Sequence, residues 1–293
     1  MTKYKKFIPV NTPLLENSDA LAVFKAIKSG WVSSEGPDVK EFEIKLAKFL
    51  NRKFGCAVSS GTAALEVAIK ALGLKKNDEV IMPSFTIISN VNAIIKNSAK
   101  PVLIDVDIKT WNIKIEDIEK KITNKTKCIM LPHIYGLSND MDKILKIVKK
   151  YNLYLIEDAA EVLGLKYKKK YCGSFGDIVC FSFDGIKNIT SGEGGCIVTN
   201  DKRILNRSKD IRLLGITNDS EKRYLGHRSW ISDVKDQGWR YHMSDINASI
   251  GLAQLQKYNL LSGKRKKICK LYDQEFKKNK YIKIFKKNYK DIS

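Results

Sequence analysis

Two side chains of this sequence could carry covalent and acid–base chemistry if the fold brought them together. Lys187 lies four residues after Phe183, where an apolar run ends, and a glycine-rich turn follows it. A lysine at the edge of a packed sheet can be partly desolvated, which lowers the pKa of its amine and makes it a nucleophile toward carbonyl carbon. Asp158 ends another apolar run. Its carboxylate could pair with a protonated ring nitrogen, cap a helix or bind a metal.

A third segment has the composition of a phosphate-binding helix start. Ser60, Gly61 and Thr62 open an amphipathic run. The free amides and the positive dipole end of such a start favour an anion. Ser182 lies next to Phe183 at another strand end and could hold a phosphate oxygen. A start of this composition is also an ordinary helix cap, so the segment alone leaves both interpretations open.

The order of these features along the chain is more specific than any one of them. A phosphate-type helix start comes first, then a strand-end aspartate, then a strand-end lysine. This order is expected of a fold-type-I pyridoxal-phosphate (PLP) enzyme. PLP chemistry needs a carboxylate partner for the ring nitrogen, because the protonated pyridine is the electron sink.

The elements that must position these side chains follow from hydrophobic periodicity. Apolar strands alternate with amphipathic helices, which predicts an α/β fold whose mostly parallel sheet is covered by helices on both faces. Ligands of such sheets bind beyond the carboxyl ends of the strands. The predicted strands are Glu79–Pro83, Pro101–Val106, Lys127–Pro132, Leu153–Glu157, Ile178–Phe183 and Cys196–Thr199. The predicted helices are Val39–Leu50, Thr62–Leu72, Met141–Tyr151 and a helix capped by Ser244 that runs from Asp245 past Leu255.

Composition and charge argue against several functional classes. No apolar run is long enough to cross a bilayer, and the charged N-terminus leads into no signal segment, so we expect a cytoplasmic protein without membrane partners. The net charge is +21, and residues 264–291 hold 12 Lys/Arg against 3 Asp/Glu. The excess is mostly lysine, with little aromatic interleaving and no recognised nucleic-acid motif, which favours solvated faces over nucleic-acid binding. Six cysteines without a C-x-x-C pair predict reduced, mostly buried thiols and no metal site.

The sequence resembles the DegT family of PLP-dependent nucleotide-sugar aminotransferases from about Ile8 to Leu255. The fold implied is the aspartate-aminotransferase-like PLP fold type I. The segments that carry the resemblance are Gly-Trp-Val-Ser-Ser-Glu-Gly-Pro at 30–37, Ser-Gly-Thr-Ala-Ala-Leu at 60–65, Pro-His-Ile-Tyr-Gly at 132–136, Glu-Asp-Ala-Ala-Glu at 157–161, Ser-Phe at 182–183 through Lys187 to Gly-Glu-Gly-Gly at 192–195, and Gly-Trp-Arg-Tyr-His-Met-Ser-Asp-Ile at 238–246.

The resemblance implies the catalytic roles. Lys187 would bind PLP covalently and Asp158 would pair with the pyridine nitrogen. Glu161 would lie near the ring hydroxyl, where the family often has glutamine. Asp184 replaces a frequent histidine, and Ile87 replaces an aromatic residue that often stacks on the PLP ring. Stacking would then be apolar, or Phe85 would supply the ring.

The resemblance also implies a phosphate site shared between two subunits. The amides of Gly61 and Thr62 and the hydroxyl of Ser182 would hold the PLP phosphate. Family members are homodimers whose sites borrow residues from the partner chain. Arg240 stands where the family usually has the asparagine that reaches the partner's phosphate, and an arginine can bind phosphate well.

The implied reaction moves an amino group from an amino acid, expected to be glutamate, to a nucleotide-linked keto-sugar. The segment at 31–36 is most similar to enzymes acting on 4-keto-6-deoxyhexoses, such as perosamine synthases, which serve cell-surface polysaccharide or glycan biosynthesis. Two alternatives stay open. One is a PLP-dependent sugar dehydratase of the same family, although such enzymes typically have histidine at the position of Lys187. The other is a non-catalytic PLP-binding relic.

The resemblance implies one large domain and a small C-terminal domain. Residues 1–250 would form the large PLP-binding domain, and residues 251–293 would begin a C-terminal small domain. Family members usually carry a fuller small domain, so the sequence predicts an incomplete one. Because that domain helps to close the site, the resemblance supports membership of the family more strongly than it supports catalytic activity of this chain.

Overall fold

The fold centres on one seven-stranded sheet. A computed structural model describes residue 7, residues 9–216 and residues 234–285. The start of the resemblance at Ile8, residues 217–233 and the last residues of the predicted small domain lie outside those ranges. The sheet strands are β1 (Phe54–Val58), β2 (Glu79–Pro83), β3 (Lys100–Ile104), β4 (Thr126–Pro132), β5 (Tyr154–Asp158), β8 (Ile178–Ser182) and β9 (Gly195–Thr199), and a separate hairpin has β6 (Lys166–Tyr167) and β7 (Lys170–Tyr171).

The sheet is mostly parallel, as predicted. Its strand order is β1-β9-β8-β5-β4-β2-β3. The five strands from β8 to β3 run parallel, and β9 lies antiparallel between β8 and β1. The six predicted strands are confirmed with ends that differ by two residues at most. Strand β1 was not predicted because its sequence, Phe-Gly-Cys-Ala-Val, is short and rich in small residues.

Helices cover the sheet on both sides. The predicted helices are confirmed, and Ser244 is an N-cap that accepts a hydrogen bond from the amide of Asn247. The helices Asn17–Ser29, Ile88–Lys96, Ile118–Lys121 and Tyr258–Phe276 were not predicted. The helices are α1 (Asn17–Ser29), α2 (Pro37–Phe49), α3 (Gly61–Leu72), α4 (Ile88–Lys96), α5 (Ile118–Lys121), α6 (Met141–Tyr151), α7 (Lys202–Arg212), α8 (Asp245–Gln256) and α9 (Tyr258–Phe276).

Side chains that alternate along the strands pack into two hydrophobic cores, one on each face of the sheet. Val80 and Met82 pack with α3, α4 and α7, whereas Ile81 between them packs with α5 and α6 on the opposite face. Helices α2, α8 and α9 continue that second face, where the ring of Phe42 meets the ring of Phe183 edge-on at 5.1 Å. Phe42 is fully buried, and burial of such a ring stabilises the fold by about 1.5–3 kcal/mol.

The predicted domain boundary falls inside α8. Leu252 and Leu255 of that helix and Leu261 of α9 are buried in the same core as α2. The division after residue 250 therefore stays a prediction. The six cysteines are free, five of them buried, as predicted. Among the described residues, no helix combines the length and apolar character needed to cross a membrane.

Candidate active site

The polar residues that follow neighbouring strands meet at one edge of the sheet. Strands β2, β4, β5 and β8 are parallel, so their carboxyl ends lie on the same side. Asp158 is level with Pro132 at the end of β4 and with Cys180 in β8. The cluster predicted from the sequence therefore forms where a parallel sheet places its ligands.

Asp158 is a buried carboxylate held by neutral donors. Its Oδ2 accepts a hydrogen bond from Asn90 Nδ2 at 2.9 Å, and its Oδ1 accepts one from the amide of Ala160 at 3.1 Å. Burial raises the pKa of Asp158, although these two hydrogen bonds and the positive charge of Lys187 act in the opposite direction. A buried carboxylate of this kind is stabilised by a cation, so a protonated ring nitrogen suits it.

Lys187 lies on the same side of the sheet as Asp158. Its charge acts on the carboxylate, which places the two side chains within electrostatic reach. No hydrogen bond joins them among the described residues. The Lys187 amide donates to the carbonyl of Asp184 at 3.0 Å, and the side chain is half-buried at the edge of the sheet. The pair that the sequence singled out is thus brought together without being tied to each other.

The start of α3 forms a tight anion cradle against β8. A Cβ added to Gly61 would lie 2.6 Å from Ser182 Cβ and 3.0 Å from Ser182 Oγ. Ser60 Oγ accepts from the amide of Ala63 at 3.0 Å, while the amides of Gly61 and Thr62 form no hydrogen bond with the described part of the chain. Two free amides beside a hydroxyl at a helix N-terminus fit a phosphate group.

Taken together, these residues fit PLP. The cradle offers donors for an anion, Asp158 offers a buried carboxylate for a cationic ring nitrogen, and Lys187 offers an amine within electrostatic reach of that carboxylate. A further polar atom, Asn90 Oδ1, is buried without a partner among the described residues. Such an orphaned acceptor is typical of sites that bind a ligand.

Glu161 lies in the loop after β5, beside the predicted ring site. Its Oε2 accepts a hydrogen bond from the amide of Tyr135 at 3.0 Å, and its charge raises the pKa of Asp158. Tyr135 has a left-handed backbone with φ 49°, which costs free energy for a residue with a side chain and is common at functional sites. Glu161 is therefore near Asp158, and its contact with a ring hydroxyl stays a prediction.

Three aromatic rings stand at the same edge. Phe85 packs edge-on against Trp111 at 5.2 Å, and Tyr135 lies 5.7 Å from Trp111. All three rings are exposed by a third or more. Ile87, the expected apolar stacking residue, is also exposed, at 62%. Both stacking alternatives thus remain open, because Phe85 and Ile87 flank Thr86 on the short loop after β2.

Arg240 is placed differently from the other predicted residues. It is exposed, and its backbone forms an isolated bridge with Leu213. Its side chain makes no hydrogen bond or ion pair with the described residues. The next two residues lie beside the end of β1, where the Tyr241 carbonyl accepts from the amide of Ser59. The exposed side chain of Arg240 is accessible from outside the chain, and its contact with a second subunit stays a prediction.

Sequence reasoning missed the residues that hold Asp158 in place. Asn90 was not singled out, although its spacing of four from Thr86 on a helix start gave a signal; Asn90 Nδ2 donates to Thr86 Oγ1 at 3.0 Å. On the strand itself, the fully buried Glu157 pairs with His133 Nε2 at 3.0 Å. Glu157 also accepts three amides of the loop before β8. Burial alone would raise the pKa of Glu157, but these hydrogen bonds lower it.

This chain is similar to known proteins along nearly its whole length. The family model described as DegT/DnrJ/EryC1/StrS aminotransferase family matches residues 13–291. The GDP-perosamine synthase of Escherichia coli O157:H7 is 42% identical over 287 residues, which are 98% of this chain and 75% of that protein.

Solved structures of similar proteins have the same fold. A Streptococcus pneumoniae protein described as a sugar aminotransferase, in its PMP form, superposes with a TM-score of 0.86 at 30% identity, covering 92% of this chain and 72% of that one. A variant of GDP-4-keto-6-deoxymannose-3-dehydratase with bound GDP-perosamine superposes with a TM-score of 0.81 at 29% identity, covering 91% and 73%.

Proposed function

This chain belongs to the DegT/DnrJ/EryC1/StrS aminotransferase family, and from that premise we propose the reaction its site performs. The chain is a PLP-dependent nucleotide-sugar aminotransferase. The amino donor is glutamate, and the acceptor is a nucleotide-linked 4-keto-6-deoxyhexose whose amino product enters cell-surface polysaccharide or glycan. The observation that carries the proposal is the buried Asp158 within electrostatic reach of Lys187, at the edge of the sheet where the Gly61–Ser182 cradle also lies.

The cofactor, when bound, supplies an electron sink that stabilises negative charge at the donor carbon. Asp158 keeps the ring nitrogen protonated, because a buried carboxylate held by neutral donors gains from a nearby cation. Asn90 and Ala160 fix the orientation of that carboxylate. Asp158 would therefore hold the proton on which the chemistry of the bound cofactor depends.

Lys187 has two tasks. It would hold the cofactor when that group is bound, and its Nζ would be the base that removes the α-proton of the amino donor and the acid that returns a proton. The amides of Gly61 and Thr62 and the Ser182 hydroxyl bind the phosphate and orient the group toward both side chains. Glu161 faces the ring hydroxyl.

The remaining parts of the proposal concern assembly and location. We propose a homodimer in which Arg240 binds the phosphate held by the other copy, supported by its exposure and by the position of its segment beside the start of α3. We also propose a cytoplasmic location. Residues 1–250 and 251–293 are proposed as the large domain and the start of the small domain.

The test follows the amino group. Purified protein is loaded with PLP, and its visible spectrum is recorded before and after glutamate is added. Loss of the band of the lysine-bound cofactor is expected, followed by its return when a keto-sugar nucleotide is added; mass spectrometry then identifies an aminated sugar. Lys187→Ala is the control that gives no such cycle. GDP-, dTDP- and UDP-linked keto-sugars are compared in parallel.

Other outcomes identify the alternatives. A sugar product that has lost an oxygen function and gained no nitrogen indicates the dehydratase, a class represented among the similar folds. A stable cofactor band that no amino donor changes indicates the non-catalytic relic. A protein that stays colourless with added PLP contradicts both the aminotransferase and the relic.

A further inference from the structure

The loop that carries Lys187 is held by a side chain from a distant helix. Arg265 of α9 donates from Nη2 to the main-chain carbonyl of Lys187 at 2.7 Å and from Nη1 to the carbonyl of Asn188. We propose that Arg265 is a positioning residue that fixes the main chain at Lys187 and thereby the reach of the Lys187 amine. The proposal rests on the function proposed above for Lys187.

The charge of Arg265 has no acidic partner among the described residues. Burial lowers the pKa of Arg265, and no carboxylate in the described ranges pairs with it as Glu43 pairs with Arg212. A half-buried guanidinium without a carboxylate costs free energy, and its hydrogen bonds must offset that cost. Among the described residues, the hydrogen-bond acceptors of the Arg265 guanidinium are the carbonyl groups of Lys187 and Asn188 in the Lys187 loop.

The other contacts of the loop do not reach the carbonyl of Lys187. Asn11 Nδ2 donates to the carbonyl of Ile186 at 3.1 Å. The Asp184 side chain accepts from the Ile186 amide, and the Asp184 carbonyl accepts from the Lys187 amide. Among the described side chains, Arg265 alone therefore binds the main-chain carbonyl of the reactive residue itself.

Helix α9 gives Arg265 a firm base. Its first turn is anchored by Tyr258 and Leu261, which are buried in the core that also contains Phe183. Tyr258 donates to the carbonyl of Leu163 at 3.0 Å. The loop is thus clamped between its own strand, β8, and a helix fixed to the same core. Displacement of a reacting group by about 1 Å can lower a reaction rate about a hundredfold. The contacts that fix the loop therefore affect the reaction rate through the position of the Lys187 amine.

The first experiment measures the loop in protein without cofactor. Hydrogen exchange is followed by mass spectrometry over residues 184–192 in wild type, Arg265→Met and Lys267→Met. Lys267 is an exposed cation two residues further along the same helix and is the matched control. Loss of two charge-assisted hydrogen bonds is expected to speed exchange of the Lys187 amide at least tenfold in Arg265→Met, with no change in Lys267→Met.

The second experiment measures the reach of the amine. PLP is added to each protein, and the rate at which borohydride traps it on Lys187 is followed by mass spectrometry. Arg265→Met is expected to slow trapping at least tenfold, and in loaded enzyme to lower kcat while KM for the amino donor stays within about twofold of wild type. A merely structural role would shift the urea midpoint instead and leave trapping by the folded protein unchanged.

If Arg265→Met does not fold, Arg265→Gln is used for the same two measurements. It retains one donor group and loses the charge and the fork geometry, so the same two effects are expected with smaller size. Wild-type exchange and wild-type trapping in a folded Arg265 variant overturn the proposal. Failure of wild type to bind PLP overturns the proposed function instead, since the exchange experiment needs no cofactor.

Discussion

Replacing Gly61 with alanine tests the phosphate cradle by filling it. The new Cβ would lie 2.6 Å from Ser182 Cβ, 3.0 Å from Ser182 Oγ and 3.4 Å from Ser182 Cα. The backbone at Gly61 has no left-handed φ, so alanine is excluded by space and not by conformation. Because Ser182 belongs to β8, in the middle of the sheet, its Cα cannot easily retreat.

The magnitude follows from the overlap. Carbon atoms in favourable contact are about 3.5–4.0 Å apart, so the Cβ pair would be about 1 Å too close. Forcing an extra carbon into a packed site costs about 1–3 kcal/mol. Alanine regains roughly 0.5–1 kcal/mol over glycine in a helix. We expect Gly61→Ala to lower the free energy of unfolding by about 1–2 kcal/mol.

The assay combines urea unfolding of cofactor-free protein with a PLP titration. PLP affinity is expected to fall at least tenfold, since the new methyl group stands where the amides and the Ser182 hydroxyl converge. Gly263→Ala is the matched control: Gly263 lies inside α9 with open space around its Cα. That variant is expected to gain about 0.5–1 kcal/mol and to bind PLP like wild type.

A double variant separates the clash from the lost donor. Gly61→Ala with Ser182→Gly removes the facing Cβ, so stability should return while PLP affinity stays low. The reasoning is refuted if Gly61→Ala alone binds PLP as tightly as wild type and unfolds at the same urea concentration.

Three further predictions address Asp158, its neighbours and the thiols. Asp158→Asn should raise the free energy of unfolding of cofactor-free protein at pH 7. Because burial raises the pKa of Asp158, wild type loses stability as the pH rises from the unfolded-state pKa through the folded-state pKa. Urea unfolding of wild type and variant across that pH window tests this prediction. Glu157→Gln should cost about 3–5 kcal/mol in the same assay, because it leaves His133 and the loop amides without their buried carboxylate. A thiol reagent at pH 8 should label half-buried Cys269 first, by mass spectrometry, because burial raises the pKa of thiols such as Cys56 to about 11.

Each of these predictions has a contrary outcome. If Asp158→Asn is less stable than wild type at pH 7, burial of the charged Asp158 carboxylate does not destabilise the folded protein. One ordinary hydrogen bond contributes about 1 kcal/mol to stability. If the free energy of unfolding of Glu157→Gln differs from that of wild type by less than this, the Glu157 network does not stabilise the site. Equal labelling of all six cysteines would contradict the packing of both cores.

The sequence predicted most of the scaffold because strand and helix periods are strong signals. The strand Glu79–Pro83 and the helix Met141–Tyr151 match the structure residue for residue. Strand β1 escaped prediction because its pairing with β9 is long-range: the partners of Phe54–Val58 are residues 195–199. Helix α1 escaped because its face toward α8 buries Asp19 and Ala26 rather than large apolar residues.

The position of the proposed reactive pair was predictable, but the contacts that support it were not. Asp158 is the last residue of β5 and Lys187 follows the end of β8, and the carboxyl ends of parallel strands lie at one edge of a sheet. Asn90 and Arg265 act through contacts 68 and 78 residues apart in sequence, and no local pattern encodes such pairs. Arg265 in particular lies among neighbouring lysines, so only its two carbonyl contacts distinguish it from a solvated surface cation.

The most direct test of the account locates the covalent bond to the cofactor. PLP-loaded protein is reduced with borohydride and digested, and the modified peptides are sequenced by mass spectrometry. The account predicts a phosphopyridoxyl group on Lys187 as the dominant adduct, with much weaker labelling in Asp158→Asn. Labelling spread over surface lysines with Lys187 unmodified would contradict it.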